Sequence, residues 1–360
     1  MAATHPLESL AVAGGGTAGH VMPGLAVMAA LRRRSPDARA VFVGCEGGFE
    51  NQLVPARGMP LETVPGSPFA RQGIGGKLLA APNLARGVRA ARRVLRAHGV
   101  QVVLGLGGYA SIGTVVAART LGIPVAVHEA NAVPGLANRL VGARVDLILL
   151  GWEQTARAFP ATPTQFTGNP LEDVPASIQR TLSLPPRLLV TGGSEGSPFL
   201  NRHAPELVRL LPGVEVLHQA GHGYVDEVRA RYAALGLDVK VQEFLSDLST
   251  LLRTFDFVVA TAGSITMTEL AIAGTPSLHV PLSTAAESHQ EANAQAFAET
   301  AGADWTSEAD WAPTLLANRI RGVLENPGEW IRRSTQAQSS ARPEAAERIL
   351  DALAALAFRE

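Results

Sequence analysis

The stretch Leu10-Ala-Val-Ala-Gly-Gly-Gly-Thr-Ala-Gly-His20 joins a short apolar run to a glycine loop, and a helical pattern (Leu25, Met28, Ala29, Leu31) carries on to Arg34. Strand, close turn and helix in that order form the opening unit of a parallel α/β sheet. The same form returns at Leu188-Leu-Val-Thr-Gly-Gly-Ser-Glu-Gly196, again after an apolar run and before a helical segment that reaches Leu211. Gly15 to Gly19 and Gly192 to Gly196 share the spacing Gly-Gly-[Thr/Ser]-x-Gly, a weak internal repeat. It predicts two Rossmann-like halves.

Working outward, apolar runs at Ala40 to Val43, Val102 to Leu104, Pro124 to Val127 and Leu147 to Leu150 alternate with helical segments, notably Leu84 to His98 and Ile112 to Leu121. After the second opening come Val214 to Leu217, Val239 to Val241, Phe257 to Ala260 and Ser277 to Val280. Strands that are apolar throughout belong to parallel sheets covered on both faces. The fold class expected is therefore α/β, with two doubly wound domains facing a cleft. The polar, proline-bearing stretch from Glu172 to Pro186 reads as a linker. The domains expected are 1–167, 168–340, and a helix in 341–360 that packs back on a domain surface.

The bulk properties agree. The chain has 360 residues, which suits two domains, and 46% hydrophobic with 18% charged residues describes a folded globular protein. A net charge of −1 gives no global field for nucleic acid, and lysine occurs only at Lys77 and Lys240. With Cys45 the single cysteine, neither an intramolecular disulfide nor a cysteine-based zinc site can form, which fits a reducing compartment. Neither a signal peptide nor an apolar run of ~18 residues is apparent, so a membrane would be met at its surface.

Chemistry concentrates at the expected carboxyl ends of the strands. Ala262-Gly-Ser-Ile-Thr-Met-Thr-Glu269 reads as a tight turn and helix start after an apolar strand. Unpaired amides and the positive helix end suit a diphosphate there, and Glu269 lies where a carboxylate meets ribose hydroxyls. His20, just after the first glycine loop, is placed to accept a proton from an attacking hydroxyl. His128, Glu129, Asn131 and Asn138 form a polar cluster at a strand end, and Gly105-Leu-Gly-Gly-Tyr109 is another close-approach loop. His289, Gln290 and Asn293 open a helix with neutral donors and acceptors suited to sugar hydroxyls. No Asp-x-Asp pair is present to hold a metal-bound diphosphate, so no metal and no cofactor are expected. Gly14-x-Gly16-x-x-Gly19 also matches the dinucleotide fingerprint, with Glu46 as a candidate ribose-binding acid, so a dehydrogenase is a competing reading. Arg86, Arg89, Arg93 and Arg96 share one helical face opposite Leu84, Val88, Ala91 and Leu95. That face, downstream of Leu78 and Leu79, is either a solvated surface or a contact with anionic lipid.

Taken in order, Gly15-Gly-Thr-Ala-Gly-His20 with Pro23-Gly-Leu-Ala26, Gly105-Leu-Gly-Gly-Tyr109, His128-Glu-Ala-Asn-Ala-Val-Pro-Gly-Leu-Ala-Asn-Arg139, Gly168-Asn-Pro170, Gly192-Gly-Ser194, Ala262 to Glu269 and His289-Gln290-x-x-Asn293 resemble the MurG family. The resemblance covers nearly the whole chain. It implies a GT-B glycosyltransferase that moves N-acetylglucosamine from UDP-GlcNAc to the C4 hydroxyl of the muramic sugar of lipid I, with inversion, to make lipid II. By position it implies that Ser194, Ser264, Ile265 and Thr266 hold the diphosphate, Glu269 the ribose and the backbone at Leu245 the uracil. His289, Gln290 and Asn293 would read the sugar hydroxyls, while Thr17, Ala18, Gly19 and Asn131 would reach the donor from the acceptor side. Tyr109, His128 and Asn138 would face the acceptor, with His20 the leading base and Glu129 a second candidate.

The resemblance further implies a peripheral protein on the cytoplasmic face of a bacterial plasma membrane. Leu78, Leu79, Arg86, Arg89 and Arg93 would face an anionic phospholipid surface, and other cell-wall synthesis proteins would be partners. This sequence departs from the family pattern at Glu172, where an arginine is usual, and at Ala130, Gly113, Glu195 and Ser288. Those changes favour, as alternatives, a GT-B transferase with a changed donor or acceptor, or a non-catalytic nucleotide-sugar-binding relative.

Overall fold

Each of the apolar runs becomes a strand of a parallel sheet in the computed structural model, which describes residues 7–16, 18–65, 74–172, 174, 180–193, 195–283 and 289–359. By Cα packing the chain divides into one unit formed by Met1–Asp173 with Arg342–Glu360 and a second formed by Val174–Ala341.

In the first unit the strands are β1 (Ser9–Ala13), β2 (Arg39–Cys45), β3 (Leu61–Val64), β4 (Val102–Gly105), β5 (Val125–Glu129), β6 (Leu147–Leu150) and β7 (Thr164–Phe166). They make a parallel sheet in the order β3-β2-β1-β4-β5-β6-β7. Its helices are α1 (Ala18–Arg34), α2 (Glu50–Ala56), α3 (Ile74–Ala97), α4 (Gly108–Thr120) and α5 (Leu136–Gly142). One face of the sheet is buried by α1 through Val21, Leu25 and Met28, the other by α3 and α4 through Ala91, Leu95 and Val115. Strands covered on both sides have no solvent face, which is why β1 and β4 are buried at every position.

The second unit continues with β8 (Arg187–Thr191), α6 (Pro198–Arg209), β9 (Glu215–Gln219), α7 (Val225–Ala234), β10 (Lys240–Gln242) and α8 (Leu248–Leu251). It is completed by β11 (Phe257–Ala260), α9 (Ser264–Ala273), β12 (Ser277–His279), α10 (His289–Ala301), β13 (Asp304–Trp305), α11 (Pro313–Leu324) and α12 (Pro327–Ser340). The sheet order is β10-β9-β8-β11-β12-β13, again parallel. Arg180 braces this unit: its guanidinium donates to the carbonyls of Ala273 (3.2 Å) and Gly274 (3.1 Å) at the end of α9 and to that of Phe255, with its plane over the Trp330 ring.

After α12 the chain returns to the first unit as α13 (Ala345–Ala357), whose Ile349, Leu350, Leu353 and Leu356 join the core beneath α1. Arg34 on α1 pairs with Asp351 and lies 3.9 Å from Glu347. The sequence reading ended the first domain at residue 167, whereas packing carries it to Asp173. The reason lies in the backbone after β7: the Gly168 carbonyl accepts from His128 Nε2 (3.1 Å), and Asn169 Nδ2 donates to the Ala130 carbonyl (3.2 Å).

Candidate functional site

In both sheets the strand order reverses between the first and fourth strands of the unit, β1 beside β4 and β8 beside β11. A crevice opens at the carboxyl end of such a reversal, where the two flanking loops lead away in opposite directions. The glycine motifs sit at these two places.

In the first unit the loop after β1 meets the loop after β4. Leu106 N donates to the Ala13 carbonyl (2.8 Å), and the contact is so close that a Cβ on Gly108, at φ +76°, would lie 2.6 Å from the Gly15 oxygen. Beneath the first loop is a residue that sequence reasoning missed. Glu50, in the first turn of α2, is 0% exposed; its Oε2 accepts from Gly16 N (3.2 Å) and its Oε1 from Cys45 N (2.9 Å). Room for the carboxylate exists because Gly15, Gly44 and Gly48 lack Cβ atoms, each of which would come within 2.2, 2.5 and 2.3 Å of the Glu50 side chain. The available signal was the glycine cluster around Cys45. A carboxylate seated on the loop amide opposes a pyrophosphate there, and Glu46 is exposed in the turn, so the dinucleotide reading of Gly14-x-Gly16-x-x-Gly19 does not fit this loop.

His20, in the first turn of α1, is half-buried with Nδ1 3.3 Å from the Gly15 carbonyl. A carbonyl only accepts, so the proton is on Nδ1 and the lone pair on Nε2. Nε2 borders the Gly107 turn, 3.4 Å from where a Cβ would be, and Asn138 Nδ2 is 3.8 Å from the same point. Glu129, 2% exposed at the end of β5, accepts four hydrogen bonds. Oε1 takes Asn131 N (2.9 Å) and Nδ2 (3.2 Å), while Oε2 takes Gly135 N (3.0 Å) and Asn138 Nδ2 (2.9 Å). The cluster is thus a brace that shapes the 130–135 loop. His128 is buried, and burial lowers its pKa, so it stays neutral and donates to Gly168. Asn138 also donates to the His128 carbonyl, while its buried Oδ1 has no partner among the described residues. Gly19 is exposed in the first turn of α1, whereas Thr17 and the side chains of Ala18 and Tyr109 lie outside the described residues.

The second unit has the opposite character. Gly193 is held by Thr191 and Gln219: Gly193 N donates to Thr191 Oγ1 (3.1 Å), which donates to Gln219 Oε1 (2.8 Å), and Gln219 Nε2 returns to the Gly193 carbonyl (3.1 Å). Ser194 lies outside the described residues. Across the reversal α9 starts at Ser264 with Gly263 as its N-cap, so its leading amides carry no side-chain cap. Ser264 is buried and Ile265 and Thr266 are half-buried at this helix start. Glu269 sits farther along the same helix, with Ser249 Oγ donating to its Oε1 (2.8 Å). Burial pushes its pKa up to about 7, against the lowering effect of the Ser249 bond, and Asp247 adds to the rise. Leu245 lines a cavity of about 620 Å³ beside β10, together with Arg229, Phe244 and Ser246.

Gln290 and Asn293 face the turn after β11. Gln290 Oε1 accepts from Ala262 N and Leu282 N, both at 3.0 Å, and Asn293 Nδ2 donates to the Ala262 carbonyl (3.2 Å). Both side chains therefore shape the α9 entry from behind. His289 is half-buried at the start of α10. Among the described residues no group of three His, Cys, Asp or Glu side chains could hold a metal ion.

Three of the departures are placed as well. Glu172 turns to Arg57, with which it pairs. Glu195 is exposed, and Ala130 is buried with its carbonyl accepting from Trp152 Nε1 (3.0 Å). Ser288 lies outside the described residues. On α3, Arg86, Arg89 and Arg93 are exposed while Ala91 and Leu95 are buried; the side chains of Leu78 and Leu79 are outside the description. No helix of the described residues is long and apolar enough to cross a membrane.

Two reversed parallel sheets, one offering an uncapped helix start beside a half-buried acid, define a glycosyltransferase fold of the two-Rossmann kind. The chain matches the Glycosyltransferase family 28 N-terminal domain over residues 10–149 and the Glycosyltransferase family 28 C-terminal domain over residues 187–349. It is 37% identical over 347 residues to the UDP-N-acetylglucosamine--N-acetylmuramyl-(pentapeptide) pyrophosphoryl-undecaprenol N-acetylglucosamine transferase of Anaeromyxobacter dehalogenans, spanning 94% of this chain and 91% of that protein. The protein of that name from Magnetococcus marinus is 35% identical, spanning 96% of this chain and 97% of its own. The crystal structure of MurG from Acinetobacter baumannii superimposes with a TM-score of 0.79 at 27% identity, covering 96% of this chain and 99% of that one. The chain belongs to the MurG family of N-acetylglucosaminyltransferases.

Proposed function

We propose that this protein transfers N-acetylglucosamine from UDP-GlcNAc to the C4 hydroxyl of the muramic sugar of lipid I, inverting the anomeric carbon and giving lipid II. The observation that carries the reading is the contrast between the two sheet reversals, supported by full-length similarity to transferases of that name. The second unit presents helix amides and Glu269, which suit a nucleotide diphosphate and its ribose. The first unit has its loop amide taken by Glu50 and presents His20, which suits a neutral hydroxyl.

In the reaction the C4 oxygen forms a bond to the anomeric carbon as the bond from that carbon to the diphosphate oxygen breaks. The hydroxyl proton passes to His20 Nε2, and UDP leaves with its charge met by the α9 amides. His20 is preferred to Glu129 as base because the four Glu129 contacts are spent on the 130–135 loop and on Asn138 of α5. The cavity beside Leu245 is the proposed uracil seat. No metal takes part in this scheme. The exposed arginines of α3 are proposed to rest on the anionic cytoplasmic surface of the plasma membrane, within reach of the lipid-borne acceptor.

Transfer of labelled GlcNAc to a soluble lipid I analogue tests the reading, run with chelator and with UDP-glucose and UDP-GalNAc alongside. Chelator-resistant product from UDP-GlcNAc alone is expected. Product from a different sugar, or donor binding without any product on an acceptor that a working enzyme accepts, would refute it.

A further inference from the structure

The peptide joining Gly15 to Gly16 has two partners on opposite sides. Its N–H donates to Glu50 Oε2 (3.2 Å), and its C=O accepts from His20 Nδ1 (3.3 Å). A trans peptide is planar, with its N–H and C=O pointing in opposite directions, so fixing one fixes the other. The plane has little freedom to turn. A Cβ on Gly15 would be 2.2 Å from Glu50 Oε1, and Gly108 closes on the Gly15 oxygen from the α4 side. Glu50 is itself pinned by Cys45 N (2.9 Å) and is fully buried.

We propose that Glu50 is a positioning residue for His20, acting through this single peptide plane: the carboxylate holds the N–H, the opposed carbonyl holds Nδ1–H, and the Nε2 lone pair is thereby directed to the reacting hydroxyl. This rests on the reading of His20 as the base. It also gives the glycine loop a role separate from phosphate binding, since a loop amide is already committed to a carboxylate. The glycines at 15, 44 and 48 are then the space Glu50 occupies.

The experiment is Glu50→Gln, which keeps volume but turns an amide donor toward a backbone N–H, assayed with His20→Ala and the double variant. Expected are a fall in kcat of at least about tenfold, an altered acid limb of the kcat–pH profile and a KM for UDP-GlcNAc within about twofold of wild type. The double variant should be no slower than His20→Ala alone, because Glu50 acts only through that imidazole. Gly108→Ala, which presses on the Gly15 carbonyl with Glu50 intact, should show the same split between kcat and KM, and it decides the matter if Glu50→Gln does not fold. Losses that multiply in the double variant, or unchanged kcat in Glu50→Gln with His20→Ala impaired, overturn the positioning role alone. Wild-type turnover in His20→Ala overturns both it and the base on which it depends.

Discussion

Three glutamates, each at or near the carboxyl end of a strand, show how surroundings divide one side chain among different tasks. Glu50 and Glu129 are buried and accept backbone amides, while Glu269 is half-buried with Ser249 as its donor. Burial raises the Glu269 pKa to about 7, and the ribose hydroxyls proposed to donate to it would favour the ionised form, so on that reading donor binding strengthens as pH rises through that value. We expect UDP-GlcNAc affinity by calorimetry to be about tenfold weaker at pH 6 than at pH 8, and Glu269→Gln to remove the difference. Glu129→Ala strands two half-buried backbone amides, at no more than about 1–3 kcal/mol each; it should lower the unfolding midpoint of the first unit as well as turnover. At this scale the sequence placed His20 and Glu269 on helices that follow a strand and a glycine turn, and the structure has both there. What a side chain bonds is harder to read than where it sits. Gln290 and Asn293 look like sugar contacts in sequence, yet each bonds the backbone of the α9 entry turn. Glu50 resembles a solvated residue at the start of a helix, and only the three-dimensional meeting of Gly15, Gly44 and Gly48 reveals its burial.

Elements were legible in proportion to their burial. The central strands stand out as apolar runs, whereas β3, β7 and β13, each at a sheet edge, were passed over. Their exposure explains it: Leu61-Glu-Thr-Val64 and Thr164-Gln-Phe166 present polar side chains to solvent and lack the apolar signature. Helix α3 begins at Ile74, ten residues before the expected start at Leu84, and carries Pro82 within it, a residue that ordinarily marks a helix boundary. Its arginine face carries a test. Changing Arg86, Arg89 and Arg93 to glutamate should abolish sedimentation with anionic vesicles, about 1 kcal/mol of attraction being lost per residue before repulsion is added; persistent sedimentation would leave the face merely solvated.

The strands of the second unit also carry two buried histidines. His218 on β9 accepts from Tyr232 O–H (3.0 Å) and donates to Asn201 Oδ1 (3.1 Å), and His279 on β12 donates to the Thr261 carbonyl (3.3 Å) and accepts from Ser277 (2.9 Å). Burial depresses their pKa values to about 3 and about 4. Below pH 6.5 the unfolded chain takes up protons that these folded imidazoles refuse, so stability falls from pH 6.5 toward pH 4, by about 3 kcal/mol for His279. Urea unfolding across that range should show the loss, and His218→Gln should reduce it to the share that His279 contributes.

At the level of the molecule, the repeat of two glycine loops announced two sheets, but nothing in the periodicity of the tail told which sheet it would join. An amphipathic helix advertises an apolar face, not its partner. The answer lies in α1, whose free flank takes Ile349, Leu350, Leu353 and Leu356 and whose Arg34 pairs with Asp351. Ending the chain at residue 341 should therefore lower the stability of the first unit by more than about 5 kcal/mol, at roughly 1.5–3 kcal/mol for each buried aliphatic side chain. Calorimetric scanning should show the first unit's transition lost or sharply lowered, with UDP-GlcNAc binding to the second unit retained.

The return of α13 to the first unit also reverses an order in time. Chains leave the ribosome from the amino end, and domains made from one continuous segment can close as they emerge. The second unit is such a segment, complete by Ala341. The first must wait, its α1 flank uncovered, until Leu356 has been synthesised. Although it begins first, it finishes last, and until then an apolar surface stands open to whatever in the cell shelters nascent chains.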